Sequence, residues 1–341
     1  PITVTAVTDT KVYDGNTDSS GVPTITLGSL AAGDTVIWTQ TFDTKDVGVG
    51  KTLTPSGTVN DGNGGANYAV TFVDDLTGVV SILPITVTVD PGQTKVYGDA
   101  DPASFIYTND PLIPGDSFAG VLTRIAGENV GDYGILQGTL DAGTNYVINF
   151  VSDNFSITTK PITVTVDPGQ TKVYGDADPA SFIYTNDPLI PGDSFAGVLT
   201  RIAGENVGDY GILQGTLDAG TNYVINFVSD NFSITTKPIT VTAVTDTKVY
   251  DGNTDSSGVP TITLGSLAAG DTVIWTQTFD TKDVGVGKTL TPSGTVNDGN
   301  GGANYAVTFV DDLTGVVSIL PITVTVDPGQ TKVYGDADPA S

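Results

Sequence analysis

Short stretches of alternating apolar and polar residues, separated by turn-forming residues, run along the whole chain. The stretch Ile85–Val89 alternates β-branched side chains, which suits a pleated strand with one buried face. The sequence Asp-Pro-Gly, a strong turn signal, follows it directly. The nearest candidate for a helix is Ala119–Glu128, and Gly120 and Gly127 weaken it. The pattern therefore predicts an all-β chain.

Between Pro84 and Lys160 the pattern predicts about seven short strands. These are Ile85–Val89, Lys95–Tyr97, Ser104–Tyr107, Ser117–Ile125, Tyr133–Leu140, Tyr146–Val151 and Phe155–Thr158. Strands of this length and spacing favour a small β-sandwich. The segment Asn129–Tyr133 also has the spacing of the tyrosine corner of immunoglobulin-like domains, which predicts a structural role for Tyr133. Trp38, in an alternating strand, is expected to pack in a core.

The sequence Pro-Ile-Thr-Val-Thr occurs five times and divides the chain into repeats. Residues 1–83 and 238–320 are identical long repeats, and residues 84–160 and 161–237 are identical short repeats. Residues 321–341 copy the first 21 residues of a short repeat. We predict one small β-domain for each complete repeat and the start of a further short domain at residues 321–341.

The repeats follow one another without a Gly/Ser linker. Each repeat after the first opens on a proline that we predict to lie at an inter-domain seam: Pro84, Pro161, Pro238 and Pro321. Proline fixes its own φ and biases the preceding residue towards extended backbone, so such seams should be stiff. Because a strand of ~10 residues spans roughly 33 Å, each repeat should add about 35–45 Å. Four repeats would then form a rod about 140–180 Å long.

The composition narrows the classes of function. The chain has no Cys, Met or His and a net charge of −26. Lack of His and Cys excludes most nucleophile–base pairs, zinc sites and haem ligation, so we expect no enzymatic activity. An evenly acidic chain disfavours nucleic-acid binding. The chain also lacks an apolar run of membrane-spanning length.

Acidic clusters are candidates for Ca²⁺ ligands, because Ca²⁺ prefers oxygen. Asp14, Asn16 and Asp18 follow the D-x-N-x-D opening of an EF-hand loop, but Ser19 and Ile25 stand where that loop needs Gly and Glu. The favoured interpretation is therefore a turn built from Asx side chains, with Ca²⁺ as the alternative. Asp99 and Asp101 are a second candidate, for which solvated carboxylates are the favoured interpretation.

Some basic residues recur at matching positions in both kinds of repeat. We interpret Lys11 and Lys95 as surface lysines, with an intramolecular crosslink to Asn as the alternative. Arg124 and Glu128 are expected to form a local ion pair.

Two motifs resemble known families. The Lys-Val-Tyr-Asp-Gly sequence at Lys11–Gly15 and Lys248–Gly252 resembles the YDG domain of large bacterial surface proteins. The short repeats resemble the related MBG domain of the YGX type through Lys95–Asp99, Gly127–Tyr133 and the closing Asn145-Tyr146…Phe155-Ser-Ile-Thr. Tyr13, Tyr97 and Tyr146 lie in these motifs and are expected to be structural. The resemblance leaves two folds open: an immunoglobulin-like sandwich, or a β-grasp-like variant with one short helix.

The resemblance implies the stalk of a long, repetitive, secreted bacterial adhesin. We therefore expect a structural spacer at the bacterial cell surface or in an extracellular fibre, with neighbouring repeats, and copies of the same protein, as partners. A second hypothesis is a multivalent module that binds surface glycans or mucins, which requires an exposed aromatic such as Trp38 or Tyr107. A third is assembly by strand complementation, in which Pro321–Ser341 completes a neighbouring domain.

Overall fold

The computed structural model describes residues 1–340 and divides the chain into two compact bodies. Body 1 contains Pro1–Pro161 and Ala219–Val224, and body 2 contains Ile162–Asp218 and the chain from Ile225 onward. Residues 1–340 contain strands and no helix. The prediction of an all-β chain of small tandem domains is confirmed.

Each complete repeat contains seven strands in the described chain. The first repeat has β1 (Ile2–Thr5), β2 (Thr10–Val12), β3 (Thr24–Leu27), β4 (Thr35–Phe42), β5 (Gly48–Asn60), β6 (Val70–Val73) and β7 (Asp75–Ser81). The second has β8 (Leu83–Val89), β9 (Gln93–Val96), β10 (Tyr107–Asn109), β11 (Thr123–Arg124), β12 (Gly131–Leu136), β13 (Tyr146–Val151) and β14 (Asn154–Thr158).

The third and fourth repeats follow the same order. The third has β15 (Lys160–Val166), β16 (Gln170–Val173), β17 (Tyr184–Asn186), β18 (Thr200–Arg201), β19 (Gly208–Leu213), β20 (Tyr223–Val228) and β21 (Asn231–Thr235). The fourth has β22 (Lys237–Thr242), β23 (Thr247–Val249), β24 (Thr261–Leu264), β25 (Thr272–Phe279), β26 (Gly285–Asn297), β27 (Tyr305–Val310) and β28 (Asp312–Ser318).

The strands of each repeat form one three-stranded and one four-stranded sheet, and both sheets are mixed. In the second repeat the orders are β10-β8-β13 and β11-β12-β14-β9. The first strand, β8, runs antiparallel to β10 and parallel to β13, and β14 runs antiparallel to β12 and parallel to β9. Immunoglobulin sheets are antiparallel, so these repeats share the layered sandwich but not its strand pairing.

The core of a short repeat lies between its two sheets. In the second repeat, Val87 and Val89 of β8 face Ile135, Phe155 and Ile157 of the other sheet, and all five are at most 2% exposed. They alternate with outward-facing threonines along β8, as the sequence pattern indicates. In the first repeat Trp38 is 6% exposed and packs edge-on against Phe72.

Two strands of the short repeat differ from the prediction. Only Thr123–Arg124 of the predicted strand Ser117–Ile125 is a strand, because Gly120 has a φ of 77° and turns the backbone there. A side chain at Gly120 would also meet the Thr139 carbonyl oxygen. The predicted strand Ser104–Tyr107 lies later, at Tyr107–Asn109, because Asn109 pairs with Val87 instead of starting the predicted turn.

A single residue separates the last strand of one repeat from the first strand of the next. Ile82, Thr159 and Thr236 hold these positions. Pro84, Pro161 and Pro238 lie inside β8, β15 and β22, so the seams are extended backbone. Pro321 opens an exposed segment, Pro321–Ala340, that contains no strand. The start of a further domain there stays a prediction.

Candidate functional site

Two sets of polar and aromatic side chains meet where the first and second repeats of body 1 join. The trailing face of the first repeat consists of Tyr13, Asp46 and Val47. The leading face of the second consists of Asp116, Asn145 and Tyr146. The hydroxyls of Tyr13 and Tyr146 both donate to Asp116 Oδ2, at 2.9 and 2.7 Å, and the two rings meet edge to face at 5.5 Å. Bonds from Tyr146 and Tyr13 lower the pKa of Asp116.

The asparagine of the leading face bonds to both the seam and the preceding repeat. The Asn145 side-chain oxygen accepts from the Val47 backbone N–H at 2.9 Å, and its amide nitrogen donates to Asp46 Oδ1 at 3.0 Å. Its backbone oxygen accepts from the N–H of Leu83, the residue before the seam proline. One asparagine therefore fixes the seam and a loop of the neighbouring repeat together.

The same contacts recur at two further junctions. In body 1, Asn222 accepts from the Val130 N–H and donates to Asn129, and Tyr97 and Tyr223 meet edge to face at 5.4 Å. In body 2, Asn304 accepts from the Val207 N–H at 2.8 Å and donates to Asn206 at 3.1 Å. In body 2 the tyrosine pair is Tyr174 and Tyr305, and both hydroxyls bond to Asp271. The junction is thus a repeated structure.

Apolar packing continues across the first junction. Tyr13 of the first repeat and Ile85 and Tyr146 of the second belong to one buried cluster, together with half-buried Val47 and Leu83. The two repeats therefore share part of their core. Bending at this seam would expose apolar surface as well as break the hydrogen bonds.

Burial at the junctions changes the acidity of the tyrosines. Burial, and then the bond to Asp271, raises the pKa of Tyr305 to about 12. The same two causes, with Asp116 as the partner, raise the pKa of Tyr146. The phenols remain donors over the whole neutral range, which is the state the carboxylate needs.

The candidate Ca²⁺ loop of the first repeat surrounds a lysine. Lys11 Nζ donates to Asp14 Oδ1 at 2.8 Å, to the backbone and side-chain oxygens of Asn16, and to the Asp18 backbone oxygen. It also lies 5.3 Å from the centre of the Phe42 ring. An ammonium group therefore holds the position that a bound cation would take. One of its four oxygen acceptors is the Asn16 side chain, so the crosslink considered for Lys11 stays a prediction.

The second candidate cluster is an ion-pair network. Arg124 bonds to Asp101 through two nitrogens and to Glu128, and Lys95 bonds to the same two carboxylates. The Arg124 and Lys95 side chains are about 5% exposed, so the interpretation of Lys95 as a surface lysine was wrong. The bond from Arg124 lowers the pKa of Asp101 to about 2. Asp99 is exposed and lies outside the network. Among residues 1–340, no three acidic side chains are grouped so that they could hold a metal ion.

The remaining candidate residues have structural surroundings. The Tyr133 hydroxyl donates to the Asn129 backbone oxygen at 2.8 Å, which is the bond of a tyrosine corner. Trp38 is buried, and Tyr107 is half-buried against Phe118. Neither offers the open aromatic platform that the glycan-binding hypothesis requires. No helix within residues 1–340 is long and apolar enough to cross a membrane.

These features define a class of protein: small two-sheet domains in tandem, joined through shared side chains. The model of the YDG domain family matches residues 1–77 and 235–314, and the model of the MBG domain (YGX type) matches residues 85–156 and 162–233. The chain is a tandem array of these two domain types, which indicates a module of a repetitive surface protein. The chain matches no curated protein.

Sequence reasoning missed the junctions themselves. Tyr13, Tyr97 and Tyr146 were expected to be structural, but Asp46, Asp116 and Asn145 were not singled out as contacts. A signal was present: Gly-Asp and Asn-Tyr recur in long and short repeats that otherwise differ widely, at Gly33-Asp34 and Gly115-Asp116 and at Asn67-Tyr68 and Asn145-Tyr146. Polar residues shared by both repeat types mark the surfaces that both types must present to a neighbour.

Proposed function

We propose that the chain is a non-catalytic structural spacer, a stalk segment of an extracellular bacterial surface adhesin or fibre. The observation that carries the proposal is the junction: an asparagine bonded to the preceding repeat, beside a tyrosine pair, recurs wherever one complete repeat follows another. At the first and third junctions the two tyrosines also share an aspartate. A catalytic or ligand-binding module needs an open site on each domain. A spacer needs rigid connections between domains.

Two features of the junction support stiffness. The seam has one residue between strands, with a proline inside the following strand, so little free backbone is left to rotate. The asparagine bonds are short, from 2.8 to 3.1 Å, and Asn304 is completely buried. Opening the junction would exchange these bonds for bonds to water, which costs a net of about 0.5–1.5 kcal/mol for each bond.

The test is small-angle X-ray scattering on the full chain and on the triple variant Asn145→Ala/Asn222→Ala/Asn304→Ala. A stiff array of four repeats should have a maximum dimension of about 140–180 Å. The radius of gyration should be about 45 Å, against about 20 Å for one compact domain of this length. We expect the triple variant to show a broader distance distribution, because its junctions can bend.

The single variant Asn67→Ala is the matched control. Asn67 is the equivalent asparagine of the first repeat, is exposed, and bonds only within its own repeat. It should scatter like the unmodified chain, in calcium and in EDTA. A radius of gyration near 20 Å for the unmodified chain would overturn the spacer proposal. A triple variant identical to the unmodified chain would show that the asparagines do not provide the stiffness.

A further inference from the structure

In the second repeat, the first two strands pair in parallel with the last two strands. We call β8 and β9 the opening segment, and β13 and β14 the closing segment. β8 pairs with β13 over six residue pairs, beginning with Leu83 and Tyr146, and β9 pairs with β14 over four, ending with Val96 and Thr158. Short connections carry the chain from β8 to β9 and from β13 to β14. The two segments therefore lie side by side along their whole length.

Both segments run from one end of the repeat to the other. Their starts lie at the first junction, where Tyr146 at the start of β13 packs against Tyr13. Their ends lie at the next junction, where Tyr97, directly after β9, donates its backbone N–H to Thr158 of β14 and packs against Tyr223. Tension on the chain would enter at the start of β8 and leave at the end of β14. It would therefore pull the two segments lengthwise in opposite directions.

A force along paired strands acts differently from a force across them. When the force acts lengthwise, all the hydrogen bonds between the strands are loaded together and must break as a group. When the force pulls the starts of the strands apart sideways, it acts on the first bond alone and then on the next. A single backbone hydrogen bond contributes little net free energy, so resistance to force depends on how many bonds share the load.

We propose that each complete repeat bears tension through the pairing of its opening and closing segments. The sheet orders of all four complete repeats place the first strand beside the sixth and the second beside the seventh. In the first and fourth repeats these pairs are parallel, as in the second. The proposal rests on the spacer function, because only a chain that is held at both ends carries tension.

The strands that receive the load are also held from their other sides. β8 lies between β13 and β10, and β14 lies between β9 and β12, so neither is an edge strand. The seams deliver the load to them directly, since β7 ends at Ser81 and β8 begins at Leu83, while β14 ends at Thr158 and β15 begins at Lys160. With one residue between strands, no loop is drawn out before the paired segments are loaded.

Pulling single molecules of the full chain between two engineered thiols tests the proposal, because the chain has no native cysteine. The variant Ile82→Cys/Thr159→Cys places the handles at exposed positions on either side of the second repeat and loads its segments lengthwise. The matched control, Ile82→Cys/Thr144→Cys, places them at the starts of β8 and β13 and pulls the same strands apart sideways. Forced unfolding is governed by the unfolding rate, which a load changes according to its direction.

We expect the lengthwise pull to require a rupture force several-fold higher than the sideways pull at the same loading rate. Rupture should lengthen the molecule by at most about 280 Å in the lengthwise variant and about 220 Å in the control, the extended lengths of the chain between the handles. These lengths identify the second repeat as the part that opened. Equal rupture forces, or a lower force for the lengthwise pull, would overturn the proposal.

One substitution tests the bonds themselves without moving the handles. The Leu83 N–H bonds to the Asn145 oxygen, so in a parallel pair the Leu83 oxygen accepts from the Val147 N–H. Val147 is exposed; Val147→Pro removes this donor, whereas Val147→Ala keeps it. Added to the lengthwise variant, the proline should lower the rupture force and the alanine should leave it nearly unchanged. Equal forces for the two would show that these bonds do not carry the load.

The spacer proposal and the tension proposal fail in different experiments. Scattering is measured without load, so a compact particle there would overturn the spacer and would leave the rupture forces of one repeat as they are. Equal rupture forces in the two pulling directions would overturn the tension proposal and would leave a stiff array intact.

Discussion

The first and fourth repeats have the same sequence and different neighbours. Tyr13 is 2% exposed beneath the second repeat, while Tyr250 is half-buried; Asn304 is fully buried against the third repeat, while Asn67 is exposed. The long strands β5 and β26 nevertheless agree, with Gly48–Asn60 in one repeat and Gly285–Asn297 in the other. The comparison separates the structure that a repeat forms on its own from the burial that a neighbouring repeat adds.

One element does change with the neighbour. The strand β27 of the fourth repeat begins at Tyr305, because Lys237 at the seam pairs with it and bonds to Asn304. In the first repeat β6 begins at Val70, two positions after the residue equivalent to Tyr305, and its first pair is Val70 with Ile2. The seam therefore extends the sheet of the repeat that follows it. The side-chain set of the leading face forms without this extension.

The largest difference between the copies should appear on truncation of the trailing-face tyrosine. Tyr13→Ala removes a buried ring that contacts Tyr146 and a hydroxyl that bonds to Asp116, and should lower the free energy of unfolding by about 3–4 kcal/mol. Tyr250→Ala removes a half-exposed ring and should cost about 1–2 kcal/mol.

Native-state hydrogen exchange should be used to measure the two variants, because it reports each repeat separately in a multidomain chain. In Tyr13→Ala we expect loss of protection on both sides of the first junction, in β2 and in β13. In Tyr250→Ala the loss should stay within the fourth repeat. Equal costs for the two substitutions would mean that the second repeat adds no stability through Tyr13.

Much of the architecture could be predicted from the sequence, because repetition and two-residue alternation are local signals. Ile85–Val89 predicted β8 closely, and the single-residue seams with proline were evident. The parallel pairing of β8 with β13 could not be predicted, since their pairing joins residues about 60 positions apart and any strand with one apolar face would fit.

The site residues were harder to predict, because aspartate can bond to several kinds of partner. Asp14 and Asp101 were considered as Ca²⁺ ligands, but Asp14 pairs with Lys11, three residues earlier, and Asp101 pairs with Arg124, 23 residues later. Asp116, which two tyrosines share, has no distinguishing neighbour in the sequence. Only its recurrence in Gly-Asp of both repeat types indicates a common role. The Ca²⁺ hypothesis itself stays a prediction.

A smaller difference between the two copies is expected in the titration of the leading-face tyrosines, Tyr68 and Tyr305. Tyr305 has a pKa raised to about 12 from an ordinary value of 10.0, mainly by burial. The pKa of Tyr68 is raised too, but there burial contributes less than the opposing bonds from Ala31 and to Asp34. Because the folded-state pKa of Tyr305 lies above its unfolded value, its contribution to stability is complete below about pH 10 and is lost as the pH rises through about 12.

Phenolate absorbance of the unmodified chain, Tyr305→Phe and Tyr68→Phe would resolve the two groups by difference. We expect the Tyr305 curve to have its midpoint near pH 12 and to coincide with loss of the Asn304 junction in hydrogen exchange. The Tyr68 curve should lie at lower pH and leave every junction intact. Coinciding midpoints would show that the third repeat does not bury Tyr305 in solution.

The two copies should behave nearly alike in the lysine loop, because the lysine bonds only within its own repeat, although Gly15 of the first loop lies close to Ile113 of the second repeat and Gly252 has no such neighbour. Lys248 bonds to Asp251, to both oxygens of Asn253 and to the Asp255 backbone oxygen, much as Lys11 bonds in its own loop. Lys11→Met and Lys248→Met keep the apolar stem and remove the charge that the loop oxygens surround, so each should cost about 1–2 kcal/mol. The two costs should agree within about 0.5 kcal/mol, measured by the hydrogen exchange of β2 and β23.

Calcium should restore part of the lost stability in the two variants, because it can enter the loop that the lysine has left, and it should change the stability of the unmodified chain less. A larger cost at Lys11 than at Lys248 would show that the second repeat also stabilises this loop, and would extend the junction beyond its two faces.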